Sequence, residues 1–278
     1  MIGLLLSVAA LSAPRAAKLC PITTYGAKPS DGGKTNTAAA AKAIAACAGG
    51  GTVVVDGGAF NIGPLALSGK GLFLEVKDGS SLVTMSGPDT WPVTDGRYTT
   101  IVSFTKCDGC GLIGAGTIFG KGGRPPGGFD WYYLFDQKKL KHDRPLMLVV
   151  RDCNDFTMTS IKLLDAPQFN VALDNVHGAE ISKVNITSTW YIDPKTKKRM
   201  EPHNTDGIDP GGGSSDIHIF DVWIHNGDDS VAVKPSTPCT RNILVENSHF
   251  EYGHGCSIGS VGDGCVENVL YRNSTCSC

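Results

Sequence analysis

The alternation of apolar and polar positions divides the chain into one helical segment and a long series of short strands. Residues 35–48 (TNTAAAAKAIAACA) are rich in alanine and lack glycine and proline, so they predict an α-helix that ends at the three glycines that follow. Beyond this segment the helical periodicity disappears. Short apolar runs separated by Gly, Asp, Asn or Ser predict strands instead. Examples are residues 52–55, 71–76, 112–118 and 146–150.

The second half of the chain contains a coarse repeat of such runs. They begin at Asp155, Ala179, Ser215, Arg241 and Glu267, so the successive offsets are 24, 36, 26 and 26. The long offset contains a polar stretch, 190–203, which is interpreted as an inserted loop. A repeat of roughly 20 to 26 residues with several short strands is typical of a parallel β-helix. A leucine-rich solenoid is the rival interpretation, but its regular leucine ladder is missing.

The predicted fold class is therefore all-β: a single-stranded, right-handed parallel β-helix, or solenoid, with a short N-terminal capping helix. Stacked coils of such a fold lie about 4.8 Å apart, which is the ordinary spacing of paired strands. Residues one repeat apart in the sequence should therefore lie one above another on the same face.

Composition supports many tight turns and argues against two classes of partner. Glycine accounts for 35 of the 278 residues without a collagen-like period. Lys plus Arg total 25 and Asp plus Glu total 27, which gives a formal net charge of −2. This balance favours neither nucleic acid nor an anionic membrane as a partner, and a monomer is expected.

The N-terminus predicts secretion. An apolar segment at 2–13 ends in small residues and is too short to span a bilayer, which predicts a signal peptide over residues 1–17. The alternative is a buried strand or helix, because the segment lacks a preceding Lys or Arg. The β-helix domain then covers 18–278, in a secreted, extracellular protein. No other apolar run is long enough to cross a membrane.

The ten cysteines agree with an extracellular location and predict several disulfides. Cys20 and Cys47 bracket the predicted helix, and Cys107 with Cys110 forms a CDGC pair for which a structural role is expected. No Cys/His set has zinc-like spacing. The sequons at Asn185 and Asn273 are candidate glycosylation sites.

Three polar clusters occur about one coil apart. They are NTDG (204–207), GDDS (227–230) and GHGCS (253–257). The offset from Asp206 to Asp229 is 23, and the offset from Asp228 to His254 is 26. Because both offsets are about one coil, the three carboxylates and the imidazole should share one patch.

Each cluster alone has a structural explanation, because Asp and Gly commonly form the turns of a β-helix. Three clusters in register favour a catalytic site. Carboxylates within about 10 Å of one another repel, which raises at least one pKa. Glycoside hydrolysis requires this division into one protonated acid and one ionised base.

A calcium site is the second interpretation. The three aspartates, with Asp209 nearby, could bind Ca²⁺ and support a lyase reaction in which Lys234 abstracts the proton. His254 beside the carboxylates suits hydrolysis better.

At these residues the sequence closely resembles the polygalacturonases, glycoside hydrolase family 28, which share the pectin-lyase-like β-helix. The matching segments in the second half are NTDGID (204–209), GDDSVAVK (227–234) and GHGCSIGS (253–260). The resemblance extends toward the N-terminus through YGAKPSDGGKTNT (25–37), AIAACAGGGTVVV (43–55) and GLIGAGTIFG (111–120).

The resemblance implies hydrolysis of α-1,4-galacturonosyl bonds in pectin or polygalacturonate by an inverting mechanism. It implies that Asp228 is the general acid and that Asp206 and Asp229 activate the water. It places His254 beside them, where it tunes their protonation or contacts the substrate. The residues that it assigns to substrate binding are Asn204, Lys234 and Gly255. It implies a pectic polysaccharide as the substrate and neither a metal nor an organic cofactor.

Two departures from the family pattern raise alternatives. Ser230 stands where the family usually has a cysteine, and the partner cysteine upstream of His254 is also missing. The family's RIK motif, whose Arg and Lys are implied to engage the galacturonate carboxylate, is absent up to Cys278. We therefore expect a C-terminally incomplete domain. The alternatives are a non-catalytic polysaccharide-binding relic and, less favoured, a calcium-dependent pectate lyase. Endo and exo action both remain open.

Overall fold

The computed structural model describes residues 18–125, 127–260 and 262–277. The signal peptide predicted for residues 1–17 lies outside the described residues. The helices are α1 (Gly33–Cys47) and α2 (Trp131–Asp136), and a 3-10 turn covers Ile22–Tyr25. No helix in the described ranges is long and apolar enough to cross a membrane.

The described chain is otherwise built from short strands. In chain order they are β1 (Leu19–Pro21), β2 (Gly51–Val55), β3 (Ala59–Ile62), β4 (Leu65–Lys70), β5 (Leu72–Val76), β6 (Ser81–Thr84), β7 (Val93–Thr94), β8 (Arg97–Tyr98), β9 (Val102–Asp108), β10 (Gly111–Ile113), β11 (Thr117–Phe119), β12 (Leu148–Thr159), β13 (Lys162–Leu164), β14 (Val171–Ser182), β15 (Asn185–Thr187), β16 (Tyr191–Ile192), β17 (Arg199–Met200), β18 (Ile208–Gly211), β19 (Ser215–Phe220), β20 (Trp223–His225), β21 (Asp229–Val233), β22 (Thr240–Glu246), β23 (His249–Glu251), β24 (Gly255–Ile258), β25 (Val266–Arg272) and β26 (Thr275–Ser277).

These strands stack into three parallel ladders. The first ladder is β4, β9, the N-terminal halves of β12 and β14, β18, β21 and β24. The second is β1, β2, β5, β10, the C-terminal halves of β12 and β14, β19, β22 and β25. The third is β3, β6, β11, β13, β15, β20, β23 and β26. The later coils visit the first, second and third ladders in turn, so the predicted parallel β-helix is confirmed.

The pairing of strands confirms the repeat found in the sequence. Ser215 pairs with Arg241, and Arg241 pairs with Glu267, so the last two offsets of the repeat are single steps of the second ladder. The prediction of one strand over 112–118 was wrong, because β10 and β11 are separate strands. Gly114 lies at the corner between them with φ +103°, and a side chain there would collide with the carbonyl oxygen of Val76.

The core is a stack of apolar side chains inside the coils. On the third ladder the inward side chains from β3 to β23 are at most 2% exposed, and the stacked residues are Phe60, Leu82, Ile118, Leu163, Ile186, Ile224 and Phe250. Each such side chain contributes about 1.5–3 kcal/mol when it is fully buried. Helix α1 covers the N-terminal end of this stack with Ala39, Ala40 and Ala43, as the capping prediction requires.

Disulfides fasten the described coils near both ends. Cys20 is bonded to Cys47, which joins β1 to the end of α1, the pair that brackets the predicted helix. Cys239 is bonded to Cys265. The CDGC residues Cys107 and Cys110 are buried free thiols.

The insertion at 190–203 forms an antiparallel hairpin of β16 and β17. It leaves the coil after β15 on the third ladder and returns just before β18 on the first ladder. The prediction of an inserted loop is therefore confirmed, and the hairpin lies at the corner where the first ladder begins. Trp131 and Tyr132 of α2 are 1% exposed, so they pack in the interior.

Candidate active site

The strand register brings the three polar clusters to one corner of the coil. Ile208 pairs with Val231, and Asp206 precedes Ile208 as Asp229 precedes Val231, so the two aspartates are level on neighbouring coils. Asp229 pairs with Gly255, so the residues just before them, Asp228 and His254, are level as well. The four candidate side chains therefore lie on three successive coils where the third ladder turns into the first. We call these four side chains the carboxylate cluster.

Asp228 is held by groups on all three coils. Its Oδ2 accepts the backbone N–H of Asn204 at 3.0 Å, and its Oδ1 accepts the backbone N–H of Asp229 at 2.9 Å. His254 Nδ1 lies 3.3 Å from the same Oδ1. The side chain remains 20% exposed, so the carboxyl group is oriented by fixed donors and still reaches the surface.

A buried arginine supports the turn that carries Asn204. Arg144 Nη1 donates to the carbonyl oxygen of His203 at 2.8 Å, and Nη2 donates to Asn204 Oδ1 at 3.0 Å. The guanidinium also stacks on the Phe135 ring at 3.7 Å. Burial lowers the pKa of Arg144 to about 10, and nearby acidic groups including Asp228 oppose this shift, so the guanidinium is cationic at neutral pH. Sequence analysis missed Arg144.

Asp206 belongs to a buried ion cluster with Asp209 and Lys234. Both aspartates are 3% exposed, and Lys234 Nζ lies 3.0 Å from Asp206 Oδ2 and 3.7 Å from Asp209 Oδ2. Burial raises the pKa of Asp206, with Lys234 opposing the shift and Asp228 adding to it. Burial also raises the pKa of Asp209 well above its usual value, and Asp206 contributes further. The sequence predicted that at least one carboxyl pKa is raised. The raised pKa values belong to Asp206 and Asp209, and burial is the main cause.

The same contacts argue against the lyase interpretation. Burial by itself lowers the pKa of Lys234, but the carboxylates of Asp209 and Asp206 outweigh it and raise the pKa. The side chain is therefore an ammonium at neutral pH and has no lone pair to abstract a proton. Its charge also lies between two carboxylates that a calcium ion would need.

Buried polar groups fix the backbone around the cluster. Asn226 donates from Nδ2 to the carbonyl oxygens of Thr205 at 2.9 Å and Asp229 at 2.8 Å. Thr205 Oγ1 accepts the Gly227 N–H at 3.0 Å. The two bonds to Thr205 link the first and second coils of the site, and the bond to Asp229 fixes the turn that carries Asp228 and Asp229. Neither Asn226 nor Thr205 was recognised as supporting the site from the sequence, although Thr205 lies within the NTDG cluster and Asn226 directly precedes GDDS.

Glycines allow the coils to approach closely at this corner. A Cβ added to Gly207 would lie 2.3 Å from the carbonyl oxygen of Ser230, and one added to Gly253 would lie 2.3 Å from Asn226 Oδ1. Gly255 adopts φ +80° at the start of β24, a conformation that favours glycine.

On the third coil, Ser257 Oγ donates to Asp229 Oδ2 at 2.5 Å. A carboxylate oxygen of Asp228, a carboxylate oxygen of Asp229 and a ring nitrogen of His254 all lie within 4.8 Å of one another. This spacing is close enough to hold a divalent cation. The oxygens of Asp228 are already engaged by two backbone N–H groups, however, so the same geometry also suits two acids and an imidazole without a metal.

Comparison with known proteins identifies the family of this chain. The profile of Glycosyl hydrolases family 28 matches residues 49–277. The polygalacturonase of Ralstonia solanacearum is 31% identical over 194 residues, which are 60% of this chain and 36% of that protein. The endo-polygalacturonase of Pectobacterium carotovorum subsp. carotovorum is 34% identical over 175 residues, which are 60% of this chain and 40% of that protein.

The fold agrees with a solved structure as well. A polygalacturonase from Erwinia carotovora ssp. carotovora superposes with a TM-score of 0.78 at 28% identity, over 96% of this chain and 72% of that one. The matched regions span 40% or less of the length of the two curated relatives above. Because the family profile extends over most of the sequence, including all three polar clusters, the chain belongs to glycosyl hydrolases family 28.

Proposed function

We propose that this chain hydrolyses α-1,4-galacturonosyl bonds in pectin or polygalacturonate. The observation that carries the proposal is the carboxylate cluster, in which an oriented, partly exposed acid lies beside an imidazole and two further carboxylates. Membership of family 28 and the polygalacturonases among its relatives support the same substrate class.

The residues of the cluster take different roles in this proposal. Asp228 is the general acid that protonates the glycosidic oxygen, because it is held in place and reaches the surface. Asp229 and Asp206 activate the water. His254 tunes the protonation of Asp228 across their 3.3 Å contact or binds the sugar. Asn204, Lys234 and Gly255 shape the sugar site.

We propose inversion as the stereochemical outcome. The nearest oxygens of Asp228 and Asp229 lie within 4.8 Å, which is shorter than the separation of about 6.5–9.5 Å typical of inverting carboxyl pairs. Inversion therefore requires that the water be held from the side of Asp206, one coil away from Asp228. Following the anomeric configuration of the first products by NMR distinguishes this arrangement from a covalent intermediate on Asp229.

The test of the function compares the parent with Asp228→Asn on polygalacturonic acid. Products are separated by chromatography, and the exposed Asp78→Asn serves as the control, since its side chain is 82% exposed. We expect saturated galacturonate products from the parent and the control and none from Asp228→Asn, with equal circular dichroism. A folded parent without products at any pH supports the polysaccharide-binding relic. Unsaturated products support the lyase.

We further propose an extracellular location and a monomer acting on pectic polysaccharide. The disulfides Cys20–Cys47 and Cys239–Cys265 support an oxidising compartment. Reducing and non-reducing mass analysis of the secreted protein tests the location, and light scattering tests the oligomeric state.

A further inference from the structure

A row of aromatic side chains runs beside the carboxylate cluster. Trp190, His225 and Tyr252 come from the same three successive coils and precede the catalytic corner in each. The rings of His225 and Tyr252 lie 4.6 Å apart, and Trp190 meets Tyr252 edge-on at 6.4 Å. We call these three residues the aromatic row. Because both sets follow the same coils, the aromatic row flanks the cluster along its length.

The hairpin adds an unpaired cation to this row. The Arg199 guanidinium in β17 stacks over the Trp190 ring at 4.4 Å. Stacking uses the face of the guanidinium and leaves its N–H donors free in the plane. Within the described residues, the Arg199 side chain has neither an ion pair nor a hydrogen bond. Lys197 and Lys198 add positive charge to the same hairpin.

Tyr252 is placed where a ligand could reach it. Its side chain is among the most exposed large hydrophobic groups of the described chain, at 54%, and it lies just before the glycine that precedes His254. Its backbone has φ +60°, a conformation that is unusual for a bulky residue. An exposed aromatic ring at a strained position beside a catalytic corner indicates a binding role.

We propose that the aromatic row and Arg199 form a subsite for one uronate residue of the same polysaccharide chain that the cluster cleaves. The sugar ring stacks on Tyr252, and its carboxylate accepts hydrogen bonds from Arg199. This inference rests on the proposed function for the identity of the ligand. The occupant follows from charge: a free guanidinium on a basic hairpin favours an acidic sugar, and a flat aromatic surface favours a pyranose face.

The experiment measures binding without turnover. Every protein in this experiment carries Asp228→Asn, which here serves as the parent. Tetragalacturonate is titrated into this parent and into its Arg199→Gln, Tyr252→Ala and Tyr252→Phe variants, and calorimetry gives each Kd. Arg241→Gln is the matched control, because it removes an exposed arginine from β22 on another ladder. We expect Kd to rise about tenfold for Arg199→Gln and Tyr252→Ala, since a charge-assisted hydrogen bond or a stacked ring is worth about one such factor. Tyr252→Phe and Arg241→Gln should bind like the parent.

A neutral ligand separates charge recognition from packing. The affinity for α-1,4-galactotetraose should not change in Arg199→Gln, because that sugar has no carboxylate. A thermal melt of each variant accompanies the titration. Lower melting temperatures with unchanged Kd values for tetragalacturonate would mean that Arg199 and Tyr252 only stabilise the hairpin, and would overturn the subsite. If Tyr252→Ala does not fold, Arg199→Gln decides.

The outcome also distinguishes the subsite from the proposed hydrolysis. A parent that yields no products, while Arg199→Gln weakens tetragalacturonate binding, disproves hydrolysis and supports the subsite. A parent that hydrolyses polygalacturonate, with equal Kd values in all variants, supports hydrolysis and refutes the subsite.

Discussion

Lys234 is the residue whose removal most directly tests the electrostatics of the site. It is the cation that faces both Asp206 and Asp209, at 3.0 Å and 3.7 Å. Both aspartates are 3% exposed, so water cannot replace the ammonium. Lys234→Met keeps most of the side-chain volume and removes the charge. The expected result is a large loss of stability that depends on pH.

The magnitude follows from the geometry. At an effective dielectric constant of about 20, two unit charges 3.0 Å apart attract by about 5.5 kcal/mol. Desolvation of the partly buried Lys234 offsets part of this attraction. Removing one partner of a buried ion pair costs about 3–5 kcal/mol, because the other charge is left without compensation. We expect Lys234→Met to lower the free energy of unfolding by about 3 kcal/mol at pH 7.5, the lower end of that range.

The sign of the pH dependence follows from the pKa directions. Asp206 and Asp209 have folded pKa values raised above the usual 3.8, so the stability they contribute falls as pH rises through their folded pKa values. Lys234 has its pKa raised above 10.5, so it stays an ammonium throughout the acid and neutral range, and the stability it contributes depends on whether Asp206 and Asp209 are ionised. Without Lys234 the two carboxyl pKa values rise further. The loss caused by Lys234→Met should therefore be small at pH 4 and grow toward pH 7.5.

Urea denaturation at pH 4 and pH 7.5 measures this difference. Lys70→Met is the matched control, because Lys70 pairs with Asp108 at 2.9 Å on an exposed surface and should have little effect at either pH. Adding Asp209→Asn to Lys234→Met should recover part of the lost stability, since one uncompensated carboxylate is removed. Equal losses at the two pH values, or no recovery in the double variant, would refute the assignment of a buried ion cluster.

Two further substitutions test the packing and the orientation of the site. Gly207→Ala should lower the free energy of unfolding by about 2 kcal/mol in urea denaturation, because its Cβ would lie 2.3 Å from the Ser230 carbonyl oxygen. Gly123→Ala, with no atom within 4 Å of the added Cβ, should be nearly neutral. Arg144→Gln should lower kcat on polygalacturonate about 100-fold with little change in KM, because the turn that orients Asp228 loses its support. An unchanged kcat would show that Asn204 holds this turn without the arginine.

The sequence predicted the fold and the composition of the carboxylate cluster because a β-helix converts offsets into positions. Because one repeat is about one coil long, two motifs that are one repeat apart in the sequence lie one step apart along the stack. Asp206, Asp228 and His254 could therefore be grouped without coordinates. The corners are harder to predict, since an apolar run such as 112–118 continues through a corner that only the backbone geometry of Gly114 reveals.

Contacts made by segments outside the repeat could not be predicted in this way. Arg144 lies 60 residues before Asn204, in a loop that belongs to no ladder, so no offset relates the two. The contact of Arg199 with Trp190 depends on how the hairpin folds back on itself. The sequence indicated only that a polar insertion precedes the site. Both contacts arise from tertiary packing, which alternation and spacing do not encode.

The gradient of exposure across the cluster explains why Asp228, and not Asp206, is the better candidate for the acid. The side chain of Asp206 is 5% exposed and is paired with Lys234, so its carboxyl group has little contact with solvent. Asp228 is 20% exposed and contacts His254, which is 59% exposed. An acid must recover its proton after every turnover, and the imidazole provides a route from bulk water to Asp228. Profiles of kcat against pH should therefore show that His254→Gln slows turnover most at high pH, where direct protonation of Asp228 by solvent is rarest. A slowing that is uniform across the profile would instead assign His254 to binding the sugar.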